Sequence, residues 1–265
     1  MFEVTILAVL QGVAEFLPIS SSGHIVIGQH LLGVNAPGMR LDVMLHLGTL
    51  VSIFVFYWRT VASLFRDAFA GPAPARREAW LFVAKIAASA LPAVAVYLVF
   101  KKEIEGLFEN ARMVGALLMF TGAVLIGTRY MPRGQRDVSF LRAIAMGAAQ
   151  ALALLPGVSR SGMTLASARA GRVDGGKAAE FSFLMSAPLI AGAAALDVLK
   201  SLCGGSEASA VAAEPGWGVV AYGAAVAAVV GYFSLAVLLK ALRGRWFWLF
   251  GPYCLLAGLL TLIFV

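Results

Sequence analysis

The chain has 265 residues, of which 60% are hydrophobic and only 13% charged, and its mean hydropathy is +0.86. That composition excludes an ordinary water-soluble domain and puts most of the chain in a bilayer. The net charge of +7 is no argument for nucleic acid, because the basic residues collect in the connections between apolar segments.

In chain order, the first apolar run, 2–17, is short and stops at Pro18; a Ser/Gly cluster (Ser20, Ser21, Ser22, Gly23) and a second short apolar helix, 24–33, follow. The run lacks a basic start and does not resemble a cleavable signal peptide. Three candidate spans come next, at 41–58, 79–99 and 112–130, each near the roughly 18–20 residues that cross the hydrocarbon. The pattern then recurs: a short run at 139–155, a break at Pro156 with Gly157, Ser159, Arg160, Ser161 and Gly162, a short helix at 162–171, and spans at 177–199, 217–241 and 246–264. Pro92, Pro188 and Pro252 fall inside spans, where neighbouring helices tolerate kinks.

A shift of 139 residues without a gap superposes the two breaks, putting Gln11 on Gln150, Ser20 on Ser159, Ser22 on Ser161 and Gly23 on Gly162. Ser21 then faces Arg160, and His24 faces Met163. The short helix–loop–helix units read as re-entrant hairpins, since irregular backbone at membrane depth survives only where protein or a wet cavity surrounds it; two kinked full spans are the alternative. One hairpin and three crossings per half make the second half enter from the opposite face. The expected fold is therefore an all-α polytopic membrane protein, a single integral membrane domain over 1–265, with six transmembrane helices and two hairpins. It forms an inverted-topology repeat (about 1–130 and 139–265) whose loops approach each other near the midplane.

Lys and Arg crowd the loops 59–78, 129–142, 169–177 and 240–245, whereas the other side carries only Arg40, Lys101, Lys102, Arg112 and Lys200. By the positive-inside rule the first set is cytoplasmic. Both termini and the first hairpin's mouth then lie outside. Cys203 falls in the external loop 200–216 and Cys254 in the last span, too far apart to bridge.

The two loops hold the chemistry. Glu15 sits four residues after Gln11, on the same helix face, and a carboxylate inside a membrane is costly unless paired, hydrated or cation-bound. Ser20, Ser21 and Ser22 offer hydroxyls and clustered N–H groups, and the helix beginning near His24 turns its positive end to them, an arrangement suited to phosphate. His24, three residues from Ser21, is within reach to act as base on its hydroxyl or acid for a leaving oxygen. Arg160 stands among Ser159, Ser161 and Thr164, between Gly157 and Gly162, and its fork suits phosphate oxygens. Together these residues point to phosphoryl transfer on a lipid phosphate. Glu15 and Arg160 as a purely structural ion pair, and the serines as close-packing residues, are the plainer alternatives. His46, four residues after Asp42, reads as structural or cavity-lining, with a proton relay conceivable. Phe181, Phe183 and Met185 read as packing residues, Asp174 and Glu180 as helix-start charges, Lys85 as snorkelling and His30 as interfacial.

The segments Gln11-x-x-x-Glu15-Phe-Leu-Pro-Ile-Ser-Ser-Ser-Gly-His24 and Pro156-Gly-Val-Ser-Arg-Ser-Gly-Met-Thr164 resemble the bacterial undecaprenyl-diphosphate phosphatases, the bacitracin-resistance (BacA) family, and Ala179–Pro188 and the order of spans fit as well. The resemblance implies hydrolysis of a long-chain isoprenyl diphosphate lipid to its monophosphate and inorganic phosphate on the outer side of the bacterial plasma membrane. That reaction recycles a carrier for cell-wall synthesis and confers bacitracin resistance when overproduced. It implies Ser21, His24, Glu15 and Arg160 as catalytic residues, and Gln11, Ser20, Ser22, Ser159, Ser161, Thr164, Gly157 and Gly162 as substrate contacts. It also implies Mg²⁺ or Ca²⁺ near Glu15, bound together with the diphosphate; Gln at position 11 leaves one carboxylate there. A homodimer is possible, and attack by Ser21 and by activated water both stay open. The acid phosphatase superfamily, which needs a second histidine downstream, is excluded because none follows His46. A lipid-phosphate transporter or flippase, which shares the inverted-repeat architecture, is the rival reading.

Overall fold

The structure, a computed structural model, describes residues 1–32, 39–202 and 216–264. These form eleven α-helices with no strand beyond a single bridge between Arg136 and Val173. Cys203 and the side chain of His30 lie outside the described residues, as does most of the 200–216 connection.

The first motif is helix α1 (Phe2–Ala14), a break, and helix α2 (Ser21–Leu32); the second is α7 (Phe140–Leu152), a break, and α8 (Arg160–Ala170). The second helix of each unit starts earlier than expected. It begins at Ser21 and Arg160 rather than at His24 and Gly162, because Ser20 and Ser159 act as N-caps. Their Oγ atoms accept the backbone N–H of Gly23 (3.3 Å) and of Gly162 (3.2 Å), filling one of the unpaired donors of a helix start. Both reactive side chains therefore stand on the first helical residue.

Between the motifs run α3 (Met39–Phe56), α4 (Trp58–Ala70), α5 (Ala73–Leu107) and α6 (Ala111–Gly127). After the second come α9 (Gly175–Leu202), α10 (Trp217–Gly244) and α11 (Phe250–Phe264). Five helical stretches are long and apolar enough to cross a membrane: 73–107, 111–130, 175–196, 217–244 and 247–264. A sixth is possible if the bent pair 41–56 and 58–70 counts as one span. The expected span 41–58 is thus corrected at its end. The chain turns by 72° at Tyr57, and part of the expected loop 59–78 is the helix α4. Its sequence explains this: Ala68 faces inward while Phe65, Phe69 and the Arg66 guanidinium stay exposed. Pro92 and Pro188 lie inside helices, whereas Pro252 falls in the first turn of α11, where its missing N–H costs nothing.

The outer surface is apolar, with Leu98, Val99, Phe233, Leu256 and Ile263 among the exposed side chains. That surface suits a lipid solvent. The core gathers Phe16, Leu118, Met146, Phe181, Phe183, Met185 and Leu235, so the expected packing role of the 181–185 stretch is borne out. Each half's long helix packs on the other half's motif: α10 against α1, and α5 against α7. Helices α6 and α11 cross at their glycines. A Cβ on Gly115 would sit 2.9 Å from the Gly258 carbonyl oxygen, and one on Gly251 2.7 Å from that of Gly122. Backbones this close need small residues, the usual device for helix association in membranes.

Candidate active site

The two breaks meet. A Cβ on Gly23 would lie 3.0 Å from the Gly157 Cα, and one on Gly162 would lie 3.4 Å from the Pro18 Cβ. The same 139-residue shift relates these contacts, since it carries Gly23 to Gly162 and Pro18 to Gly157. Ser161 Oγ also donates to the Leu17 carbonyl at 3.3 Å. Each loop needs one residue in the left-handed region, Ser20 (φ 69°) in the first and Gly157 (φ 94°) in the second. The last span of the opposite half ties down each loop. Thr121 on α6 donates to the Gly157 carbonyl (2.9 Å) and accepts from Ser159 N–H (3.1 Å); Cys254 on α11 donates to the Pro18 carbonyl (3.5 Å).

Glu15 is the hub where the loops converge. Its Oε2 accepts from Gln11 Nε2 at 3.1 Å and from Ser21 Oγ at 3.0 Å. Its Oε1 accepts from Arg160 Nη2 at 2.8 Å. The pair is buried, with side-chain exposures of 7% for Glu15 and 16% for Arg160. Such a pair survives away from water only because each charge is matched and hydrogen-bonded. The arginine is not saturated: Nη1 is shut off from solvent and has no partner among the described residues. Phe183 supports it, with the guanidinium carbon 5.8 Å from the ring centre.

His24 is oriented differently from the expectation that it faces the Ser21 hydroxyl. Its Nδ1 bonds the Ser20 carbonyl at 2.9 Å, and its Nε2 lies 2.7 Å from the Tyr253 hydroxyl, with the two rings stacked 7° from parallel. A carbonyl only accepts, so Nδ1 carries a hydrogen and a neutral ring takes the Tyr253 proton at Nε2. The acceptor of the Ser21 hydrogen is Glu15 instead. His46, outside both motifs in sequence, brings Nε2 to 3.9 Å from Glu15 Oε2 and Nδ1 to 3.7 Å from Asp42.

The remaining expected contacts form a layer behind these groups. Ser20 and Ser22 pair at 3.3 Å, as do Ser159 and Ser161. Thr164 is fully buried, bonded to the Arg160 carbonyl (2.8 Å) and to Ser182 Oγ (2.6 Å), so it props the arginine's backbone. Asp174 does cap α9, accepting from Gly176 and Lys177 N–H, and Lys85 reaches over the Phe140 ring. Tyr253, Ser182 and Thr121 escaped the reading of the sequence. Thr121 had a signal, as the one hydroxyl in the middle of an apolar span; nothing local links Tyr253 to His24.

Among the described residues no group of three or more His, Cys, Asp or Glu side chains could hold a metal ion. Both Glu15 oxygens are engaged, but Gln11 Oε1 is buried without a partner. An orphaned acceptor beside a carboxylate suits a hard cation that takes its other ligands from elsewhere.

Known proteins resemble this chain along nearly its whole length. The family model for bacitracin resistance protein BacA matches residues 4–260. The chain belongs to the BacA family. Among the family's curated members, the undecaprenyl-diphosphatase of Pelotomaculum thermopropionicum is 38% identical over 269 residues, covering 99% of this chain and 96% of that one. The enzyme of the same name from Salinibacter ruber is 36% identical over 267 residues (97% and 96%). That of Desulforapulum autotrophicum is 32% identical over 282 residues (99% and 98%). The BacA-family match spans both loops and reaches into every helix.

Proposed function

We propose that this chain hydrolyses undecaprenyl diphosphate to undecaprenyl phosphate and inorganic phosphate within the bacterial plasma membrane. One observation carries the reading. A buried carboxylate is held by a hydroxyl from its own loop and a guanidinium from the other, and the guanidinium keeps one donor free. A buried unpaired donor costs about 1–3 kcal/mol, and a phosphate oxygen would relieve that.

In the proposed reaction the terminal phosphate binds Arg160. Ser21 Oγ attacks phosphorus as Glu15 accepts its proton, and the bond to the bridging oxygen breaks. The leaving lipid monophosphate takes its proton from the His24–Tyr253 pair. Water then attacks the phosphoseryl phosphorus and gives a proton back to the His24–Tyr253 pair, the Ser21 oxygen leaves and recovers its proton from Glu15, and phosphate departs. The 3.0 Å bond from Ser21 to Glu15 supports serine attack over a free water. Mg²⁺ or Ca²⁺, held by Glu15, Gln11 Oε1 and diphosphate oxygens, would supply charge neutralisation.

The reading includes an inverted-topology repeat with two re-entrant hairpins, supported by the reciprocal contacts of Gly23 with Gly157 and Gly162 with Pro18. The basic loops would face the cytoplasm, with the termini and the site's mouth outside. Phosphate release from a long-chain isoprenyl diphosphate by purified protein in detergent tests the proposal. The native chain should turn over, and Ser21→Ala and Arg160→Ala should not, with helicity unchanged. Unimpaired turnover in both variants would refute the site. Lipid movement without hydrolysis by the native protein would favour a transporter.

A further inference from the structure

A cavity of about 420 Å³ lies at the other end of α8, lined by Arg129, Arg133, Arg169, Arg245, Phe247 and Trp248 among others. Arg169 is nine residues beyond Arg160 on that helix, roughly 14 Å at the helical rise, so this is a separate place. Its arginines come from four segments: the turn after α6, the loop behind it, the last turn of α8, and the junction of α10 with α11.

Neutral groups hold three of the guanidiniums. Arg129 lies over the Trp248 ring at 4.5 Å, Arg133 Nη2 donates to the Arg243 carbonyl at 2.7 Å, and Arg169 Nη2 donates to the Met131 carbonyl at 3.3 Å. Among the described residues none of the four forms an ion pair, and no carboxylate lines the cavity. Arg169 Nε is shut off from water without a partner, and the charges of Arg133 and Arg245 act on the same group. Arg245 takes φ 69° as the left-handed cap that ends α10. The C-terminal ends of α6, α8 and α10 all lie here and favour nearby cations, but they leave the buried Arg169 Nε without a partner.

We propose that this cavity binds a phosphate-type oxyanion, either free phosphate or the headgroup of an anionic lipid. Guanidinium forks converging from several segments match tetrahedral oxygens, and an anion would satisfy the orphaned Nε and cancel the mutual repulsion.

The test uses full-length protein carrying Arg160→Ala, which silences the motif site. Tryptophan fluorescence is titrated with sodium phosphate against sodium chloride at constant ionic strength. A saturable change with phosphate alone is expected, weakened at least tenfold by Arg169→Gln and by Arg245→Asn. Asn tolerates the left-handed backbone, so Arg245→Asn carries the test should Arg169→Gln fail to fold by circular dichroism. Phosphatidylglycerol in mixed micelles that displaces phosphate, where phosphatidylcholine does not, assigns the lipid source; failure to displace assigns free phosphate. No saturable change in the parent, or equal responses in parent and variants, would overturn the proposal. So would a lower melting temperature of Arg245→Asn in phosphate-free buffer, because losing a repelled charge should leave stability equal or higher.

Discussion

The two loops are near copies in hydrogen bonding and opposites in chemistry. Ser20 and Ser159 cap their helices through the same bond to a glycine N–H, and each pairs with the serine two residues on at 3.3 Å. On that shared frame, the first helical residue is a hydroxyl in one loop and a guanidinium in the other, and the two take different oxygens of Glu15. The carboxylate has no counterpart, since the shift sets Leu154 against Glu15 and Met163 against His24. The frame is common to both loops. Differences at these three aligned positions set the loops apart.

The sharpest way to break the comparison is to exchange the unlike residues. If the halves were interchangeable, Ser21→Arg with Arg160→Ser would restore what each single change removes. We expect it to stay inactive, because the hub Glu15 and His24 belong to the first half alone. Arg160→Ala should lower phosphate release by about 10³-fold, the scale for losing one donor to a developing oxyanion; a loss below tenfold would separate Arg160 from the chemistry. Gly157→Ala tests the second loop's frame. Its φ is 94° and the added Cβ would meet the Val114 carbonyl oxygen at 2.4 Å, so about 1–3 kcal/mol of destabilisation is expected. Thermal melting in detergent reads it, and an unchanged midpoint would show that the loop relaxes freely.

How much of this was legible follows from where each signal lives. The six apolar stretches and both breaks were plain, because hydropathy and Pro/Gly punctuation are local. The bend at Tyr57 was not, since α3 and α4 are each good helices and only tertiary packing decides the 72° between them. Glu15 and Arg160 were found as lone charges in an oily chain, and their meeting was inferred from the repeat. The partner of Ser21 is not legible in the sequence. Three-residue spacing favours His24, but that ring bonds the Ser20 carbonyl and the Tyr253 hydroxyl, while the Ser21 hydroxyl faces Glu15. His46, outside both motifs, reads from the sequence only as structural or cavity-lining, and α3 brings it beside the carboxylate. Long-range pairs of this kind leave no periodic trace.

A gentler contrast concerns the helices that pin each loop. Thr121→Val removes a hydroxyl that serves both the Gly157 carbonyl and the Ser159 N–H, leaving two buried groups unpaired. We expect about 1–3 kcal/mol lost and a lower melting midpoint. On the other loop, Cys254→Ser keeps a donor near the Pro18 carbonyl and should cost less than about 1 kcal/mol. Equal losses would mean that the loops are anchored alike after all.

The smallest expected effect comes from the repeat-related glutamines. Gln11 donates to Glu15 and leaves its oxygen free, whereas Gln150 is buried with neither side-chain nitrogen nor oxygen partnered. Gln11→Met strips a donor from the hub, so release should fall about tenfold, the value of one hydrogen bond to a charged group. Gln150→Met removes a desolvated amide that bonds to nothing and keeps its volume, so release should stay within twofold and the melting midpoint should hold or rise. If Gln150→Met instead impaired release as much as Gln11→Met, the second half would contribute an amide to the substrate, and the asymmetry centred on Glu15 would be incomplete.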